Sequence, residues 1–229
     1  MRTPLGVMAI MAVAFAGEAR ADDLQNQILA SARATQREAY SFRRTIVSEQ
    51  SNNPRRVFIE QYDPRKPPAE RWTLVSVDGR APTPKEIEQS RKSKRGPVPS
   101  YADIADWFGA PASRSDPATG TTVYRFASLP KGVFKIGSHD ASAEMRVEAV
   151  VNTKGKMPFV ERIRMVSTAK IRIMLVALVD SMVITGQYRQ LPDGRAVPAE
   201  SGSDMSGSML GKAGQIRATA SYADFQPVK

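Results

Sequence analysis

The chain has no cysteine and one histidine among 229 residues. The first absence excludes a disulfide, a cysteine-linked lipid anchor and thiolate metal ligation. The second leaves at most one imidazole for zinc or copper, so no metal is expected. Aromatic residues are sparse, at 7%, and no apolar run reaches the about 20 residues that a membrane-spanning helix requires. A phosphate-cradling glycine loop, a dinucleotide fingerprint, a G-x-S-x-G elbow and a zinc-protease helix are all missing. No cofactor and no enzymatic activity are therefore expected. The lone His139 falls in Gly137-Ser138-His139-Asp140, and sequence neighbours in one turn do not reach the separately held geometry of a Ser-His-Asp triad. It reads as a solvated turn residue, with a hydrolase as the opposing reading.

Negative charge is also in short supply, with 23 Asp and Glu against 33 Lys and Arg and a formal charge of +10. Such a balance favours anionic surfaces such as phospholipid head groups, lipopolysaccharide or acidic proteins, with an attraction that weakens as salt rises. Nucleic acid is not expected, because no helix-turn-helix, zinc-finger or aromatic RNA-binding pattern is present.

The amino-terminal segment carries the first positive signal. Arg2 opens it, Leu5 to Phe15 is apolar, and Ala19-Arg20-Ala21 is a small-x-small box. Residues 1–21 are read as a cleaved signal peptide and Asp22 as the first mature residue, which predicts a soluble periplasmic protein of a Gram-negative-type cell. Residues 22–229 are read as a single domain held by its hydrophobic core alone.

From Asp22 to Tyr40, Leu24, Ile28, Leu29 and Ala32 recur at spacings of three and four behind an acidic start, predicting an amphipathic helix. The period then falls to two. Phe42–Ser48, Arg56–Tyr62 and Arg71–Val77 read as a three-strand meander, turned at Asn52-Asn53-Pro54 and closed by Asp78-Gly79. Thr83 to Phe108 is predicted helical in two pieces. Thr83, Pro84 and Glu86 form the capping signature of the first; Ser100 and Asp103 open the second, whose apolar stripe is Ile104, Trp107 and Phe108. The basic run between them is either a solvated link or an anion-contacting loop using Arg91, Lys92, Lys94 and Arg95. Pro111 to Gly120 is expected to be loop.

The remainder reads as strand. Met145, Val147 and Ala149 alternate with charged residues, and Ile163 and Met165 do the same on the returning strand Val160–Val166. Ile171 to Tyr188 is read as one long strand, apolar on both faces over Ile173–Val179. Val197–Leu210 and Gln215–Phe225 complete the sheet, with Gly202, Gly207 and Gly211 predicting bends or bulges. The fold class is α+β: a curved, mostly antiparallel β-sheet, an incomplete β-barrel, with helices covering or plugging the concave side.

In this order of elements, carried by Phe42–Val77, Thr83–Phe108 and Met145–Phe225, the chain resembles the LolA/LolB-like carriers that sort lipoproteins to the outer membrane. The resemblance covers most of Asp22–Val228 and implies a half-barrel around a helix-capped hydrophobic cavity. A lipid or lipoprotein acyl chain is the implied partner. The residues agree to this extent, that a curved sheet with about three helical segments has an inner face to fill. Met145, Val147, Ile163, Met165, Ile173, Leu175 and Met182 are the expected cavity lining, set against a methionine-rich packed core built from the same side chains. The corresponding functions are a non-enzymatic periplasmic carrier or sensor, or an envelope interaction module with a filled core whose basic loops meet an anionic membrane surface or protein.

Overall fold

Alternating polarity over most of the chain dictates a sheet, and the three capped helical segments are too short to do more than cover part of it. The computed structural model describes residues 22–51, 53–93, 98–155, 157–173 and 177–228. The signal-peptide reading of residues 1–21 lies outside them.

The first helix, α1 (Asp23–Ala34), starts where the acidic residues predict. Asp22 is its N-cap, accepting the Gln25 backbone N–H at 2.8 Å, and Ile28, Leu29 and Ala32 form the buried stripe. It ends six residues before the predicted Tyr40. Tyr40 instead opens β1 (Tyr40–Gln50), paired with Pro227 and packed edge-on against Phe225 at 6.0 Å, so strand pairing wins over helical period at that point.

The predicted meander follows as β1, β2 (Asn53–Tyr62) and β3 (Trp72–Val77). Next comes α2 (Pro84–Lys92), with the Thr83–Glu86 capping box formed in both directions. The second helical piece is a 3₁₀-helix, Tyr101–Asp106, which carries the expected Ser100–Asp103 box. Residues 111–120, expected to be loop, include β4 (Ser113–Ala118). It is an edge strand made by pairing with β5 (Thr121–Phe126), a tertiary contact that its Ser and Asp content does not announce.

A two-residue hairpin, β6 (Lys135–Ile136) and β7 (His139–Asp140), precedes β8 (Met145–Asn152) and β9 (Phe159–Ser167). The stretch read as one strand over Ile171–Tyr188 is a bent pair. β10 (Ile171–Ile173) folds back on β11 (Ala177–Gln190), matching Ile171 with Val179, so the two-faced apolar run is two strands each burying one face. Finally β12 (Ala196–Met209) and β13 (Lys212–Pro227) meet at a tight turn where Leu210 and Gly211 both take positive φ.

The result is an eleven-stranded antiparallel sheet in the order β3-β2-β1-β13-β12-β11-β9-β8-β5-β4, with β10 on β11. Register shifts at Ser41/Arg43, Val150/Val151, Val179/Ser181 and Gln187/Tyr188 mark the bulges that curve it. Gly207 sits beside one of them. A Cβ there would lie 2.2 Å from the Leu178 carbonyl oxygen, so only glycine permits β11 and β12 to approach so closely.

Helix α1 and the 3₁₀-helix cover the β5-β8-β9-β11 half of the sheet. Trp107 and Phe108 stack edge to face on Phe126 and Tyr124 above Met145, Val147, Ala149 and Val151. Gln25 ties these helical segments together. Its buried amide donates to the Phe108 carbonyl at 2.5 Å and the Ala110 carbonyl at 2.8 Å. Gln25→Leu keeps the volume but leaves two carbonyl groups without their donor, and is expected to cost about 2–4 kcal/mol in urea unfolding. A change below about 0.5 kcal/mol would show that the amide anchors nothing.

The start of α1 is tied down as well. Burial works against the Asp22 carboxylate, yet Tyr124 O–H (2.7 Å), the Gln25 N–H and Arg114 together hold its pKa below the ordinary value. A depressed pKa adds stability that is complete above the unfolded carboxylate range and disappears as pH falls through the folded value. Asp22→Asn should therefore lose up to about 1 kcal/mol at neutral pH. In unfolding curves taken from pH 7 to pH 2, its deficit against the wild type should shrink toward zero at the acid end.

Candidate functional site

Strand register defines one continuous inner face. One cross-strand row runs Val147, Met165, Ile184, Ser203, Ala218, Ser48; the next runs Ala149, Ile163, Gly186, Ser201, Ala220, Ile46, Phe58. Along both rows the side chains change character. They are large under the helical cap and small at the middle of the sheet.

Most sequence-predicted lining residues fall at the large end. Met145 and Val147 are fully buried, and Met165 and Met182 belong to the same packed cluster as Trp107 and Phe108. Ile163 is half-buried and lies over Gly186, where a Cβ would come within 2.8 Å of its Cγ1. Ile173 lines an apolar cleft at the far edge of this cluster. Leu175 lies outside the described residues.

A second packed cluster occupies the opposite side: Phe42, Tyr62 and Tyr222 are buried with Trp72, Val98 and Phe225 against them. Arg44 and Glu60 stand next to it on the same face. The guanidinium donates to Glu60 Oε2 at 2.5 Å and lies 4.0 Å from the Trp72 ring centre, so a charged pair closes the inner face toward β3. Between the two clusters the floor is Ser201 and Ser203 of β12, Ala218 and Ala220 of β13, and Ser48 and Ile46 of β1. All six are half-buried.

A cavity marks each end of this floor. One, of about 520 Å³, is bounded by the end of α1, Ser100, Tyr101, Tyr40, Phe42, Phe225 and the Asp193–Pro198 turn. Tyr40 donates to Asp193 at 2.9 Å in its wall; burial and that carboxylate push the phenol pKa up. The other, of about 280 Å³, is lined by Ile136, Ile173, Leu178, Val179, Met205, Met209 and Ile216. Beside it Met209 and Leu210 are 66% and 74% exposed. From Phe42 in the wall of the first cavity to Gln50 in the wall of the second, β1 runs roughly 26 Å at strand rise, the scale of an extended acyl chain.

Ile216, Ala218, Ala220 and Tyr222 alternate with Arg217, Thr219 and Ser221 in the sequence, which sets the four on a common face but does not mark them as a site. Their smallness was the available signal: Ala and Ser repeated on the apolar side of adjacent strands leave space that large side chains would fill. The polar candidates scatter. Arg91 and Lys92 end α2, where Lys92 pairs with Glu88 at 2.5 Å, and Arg91 lines a separate cleft beside Trp72. Lys94 and Arg95 lie outside the described residues.

His139 is in β7 rather than a free turn, half-buried with Nε2 4.0 Å from Glu144. Asp140 turns away from it, accepting from Ser142 and Gly132, so the three adjacent residues do not assemble a triad. Among the described residues no group of three or more His, Asp or Glu side chains is placed to hold a metal ion, and no helix is long and apolar enough to cross a membrane.

Neither a family model nor a curated protein matches the sequence. Among solved structures the chain is similar to a LolA superfamily protein from Nitrosomonas europaea, with 10% identity over 92% of this chain and 94% of the other and a TM-score of 0.36. The fold assignment stands on the strand register itself: α+β, an open, curved antiparallel sheet with helices over its inner face.

Proposed function

We propose that this protein is a periplasmic, non-enzymatic carrier or sensor that holds a lipid or lipoprotein acyl chain against the inner face of its sheet. One observation carries the reading. The floor between the two packed clusters is built from Ser48, Ser201, Ser203, Ala218 and Ala220, none of them fully buried, with apolar or mixed cavities at both ends. Ligand sites of this size are concave and mostly apolar with a few polar groups at defined places. Here the polar groups are Tyr40, Asp193 and Ser100 at one end, suited to a head group, and the apolar residues Ile173, Met205 and Ile216 at the other, suited to a chain terminus. Under this reading the ligand moves away from the initially expected Met145 and Val147 and onto β12, β13 and β1.

The packing of Met145, Val147, Met165 and Met182 with Trp107 and Phe108 favours a second reading, the envelope interaction module with a filled core. Displacement of a fluorescent fatty-acid probe separates the two. The wild type should bind the probe, and Ser203→Phe, which fills the floor, should weaken binding at least about tenfold with a melting point close to wild type. Met145→Gln, placed in dense packing, should instead lower stability by roughly 1–3 kcal/mol. Wild-type protein that ignores the probe would contradict the carrier and leave the filled module.

The compartment has its own test. Amino-terminal sequencing of protein recovered from a periplasmic extract should begin at Asp22, whereas Met1 retained in a membrane fraction would contradict both the cleavage and the location.

A further inference from the structure

The outer face of the same sheet bears an arrangement that neither the cap nor the floor uses. On β5, β8 and β9 one cross-strand row reads Arg125, Glu148, Arg164, with Arg146 beside it on β8 and Arg162 beside it on β9. All four arginines are exposed. Glu148 is taken by Arg125 at 2.9 Å, and among the described residues Arg146, Arg162 and Arg164 form no ion pair. Their strand neighbours on this face are the Val123–Val150 pair on one side of the row and Val166 on the other, apolar surface along which the arginine stems can lie while the guanidinium groups reach water. Toward β11 the charge stops at Val183, Thr185 and Gln187. A shallow groove of about 510 Å³ runs among Ser113, Arg125, Arg146, Glu148, Arg164 and Thr168.

Like charges on adjacent strands repel, so three unpaired guanidinium groups within two strands are a standing cost that an anionic partner removes. Two strand spacings separate Arg125 from Arg164, roughly 10 Å. That spread exceeds a single phosphate and matches several head groups side by side. Guanidinium groups bind phosphate oxygens through two parallel hydrogen bonds. A protein partner would need an apolar or aromatic centre to the patch, and here the valines beside the arginines are buried or half-buried.

We infer that this arginine-bearing face of β5, β8 and β9 docks the protein on an anionic phospholipid surface, leaving the inner floor on the opposite side of the sheet free. The inference does not rest on the acyl-chain reading, since vesicle association through arginines needs no ligand inside.

Co-sedimentation with vesicles tests it. The wild type should pellet with phosphatidylglycerol–phosphatidylcholine vesicles, stay in solution with phosphatidylcholine alone, and be released at high salt. At roughly fivefold per guanidinium near an anionic surface, Arg146→Gln, Arg162→Gln and Arg164→Gln combined should weaken binding at least tenfold with an unchanged melting point. Arg91→Gln with Lys92→Gln should bind as the wild type does. Failure of the wild type to bind the anionic vesicles, binding that persists in the triple variant, or equal binding to neutral vesicles would each overturn the inference.

Discussion

A curved eleven-stranded sheet presents more apolar inner surface than two short helical segments can cover, and the rest of the structure follows from how that deficit is met. On one half a wedge of Tyr101, Ile104, Trp107 and Phe108 is driven into the concavity and held to α1 by the Gln25 amide. On the other half the aromatic group around Phe42 closes on itself, beside the Arg44–Glu60 pair. Neither reaches the middle, where the side chains shrink to Ser and Ala. Burial of the wedge supplies the driving force; smallness at the centre decides where space remains.

Sheet curvature has a backbone cause that complements this. Bulges on β9, β11, β12 and β13 twist the strands, and Gly207 allows β12 to press against the Leu178 carbonyl where a side chain would collide. The two faces then diverge in chemistry. Inside are methionines, small residues and one internally paired arginine. Outside, arginines on β5, β8 and β9 outnumber the carboxylate among them. The basic excess visible in the composition is thus concentrated in part on one stretch of the outer face rather than spread evenly, which is the condition for a directed electrostatic contact.

Much of this architecture was legible in the residues. Alternation at Met145–Ala149 and Ile163–Met165 fixed both strands and the facing of their side chains, and the Thr83–Glu86 and Ser100–Asp103 signatures located two helix starts to the residue. The misses share a cause, namely pairing partners distant in sequence. Tyr40 leaves the helical period because Pro227 is its strand partner; Ser113–Ala118 becomes a strand because β5 is adjacent; Ile171–Gln190 bends because Ile171 finds Val179. The open floor was hidden for the same reason. Large apolar residues attract attention as candidate lining, yet in this fold they attract the aromatic wedge, and space survives where Ser203 meets Ala218 and Ser201 meets Ala220.

The central claim is that the inner floor holds an acyl chain. Native mass spectrometry of the protein purified gently from its own envelope measures this directly. An acyl chain on the floor gives a population heavier than the polypeptide by the mass of a lipid, released as that lipid on activation. A single species at the polypeptide mass under conditions that preserve lipid complexes would contradict it.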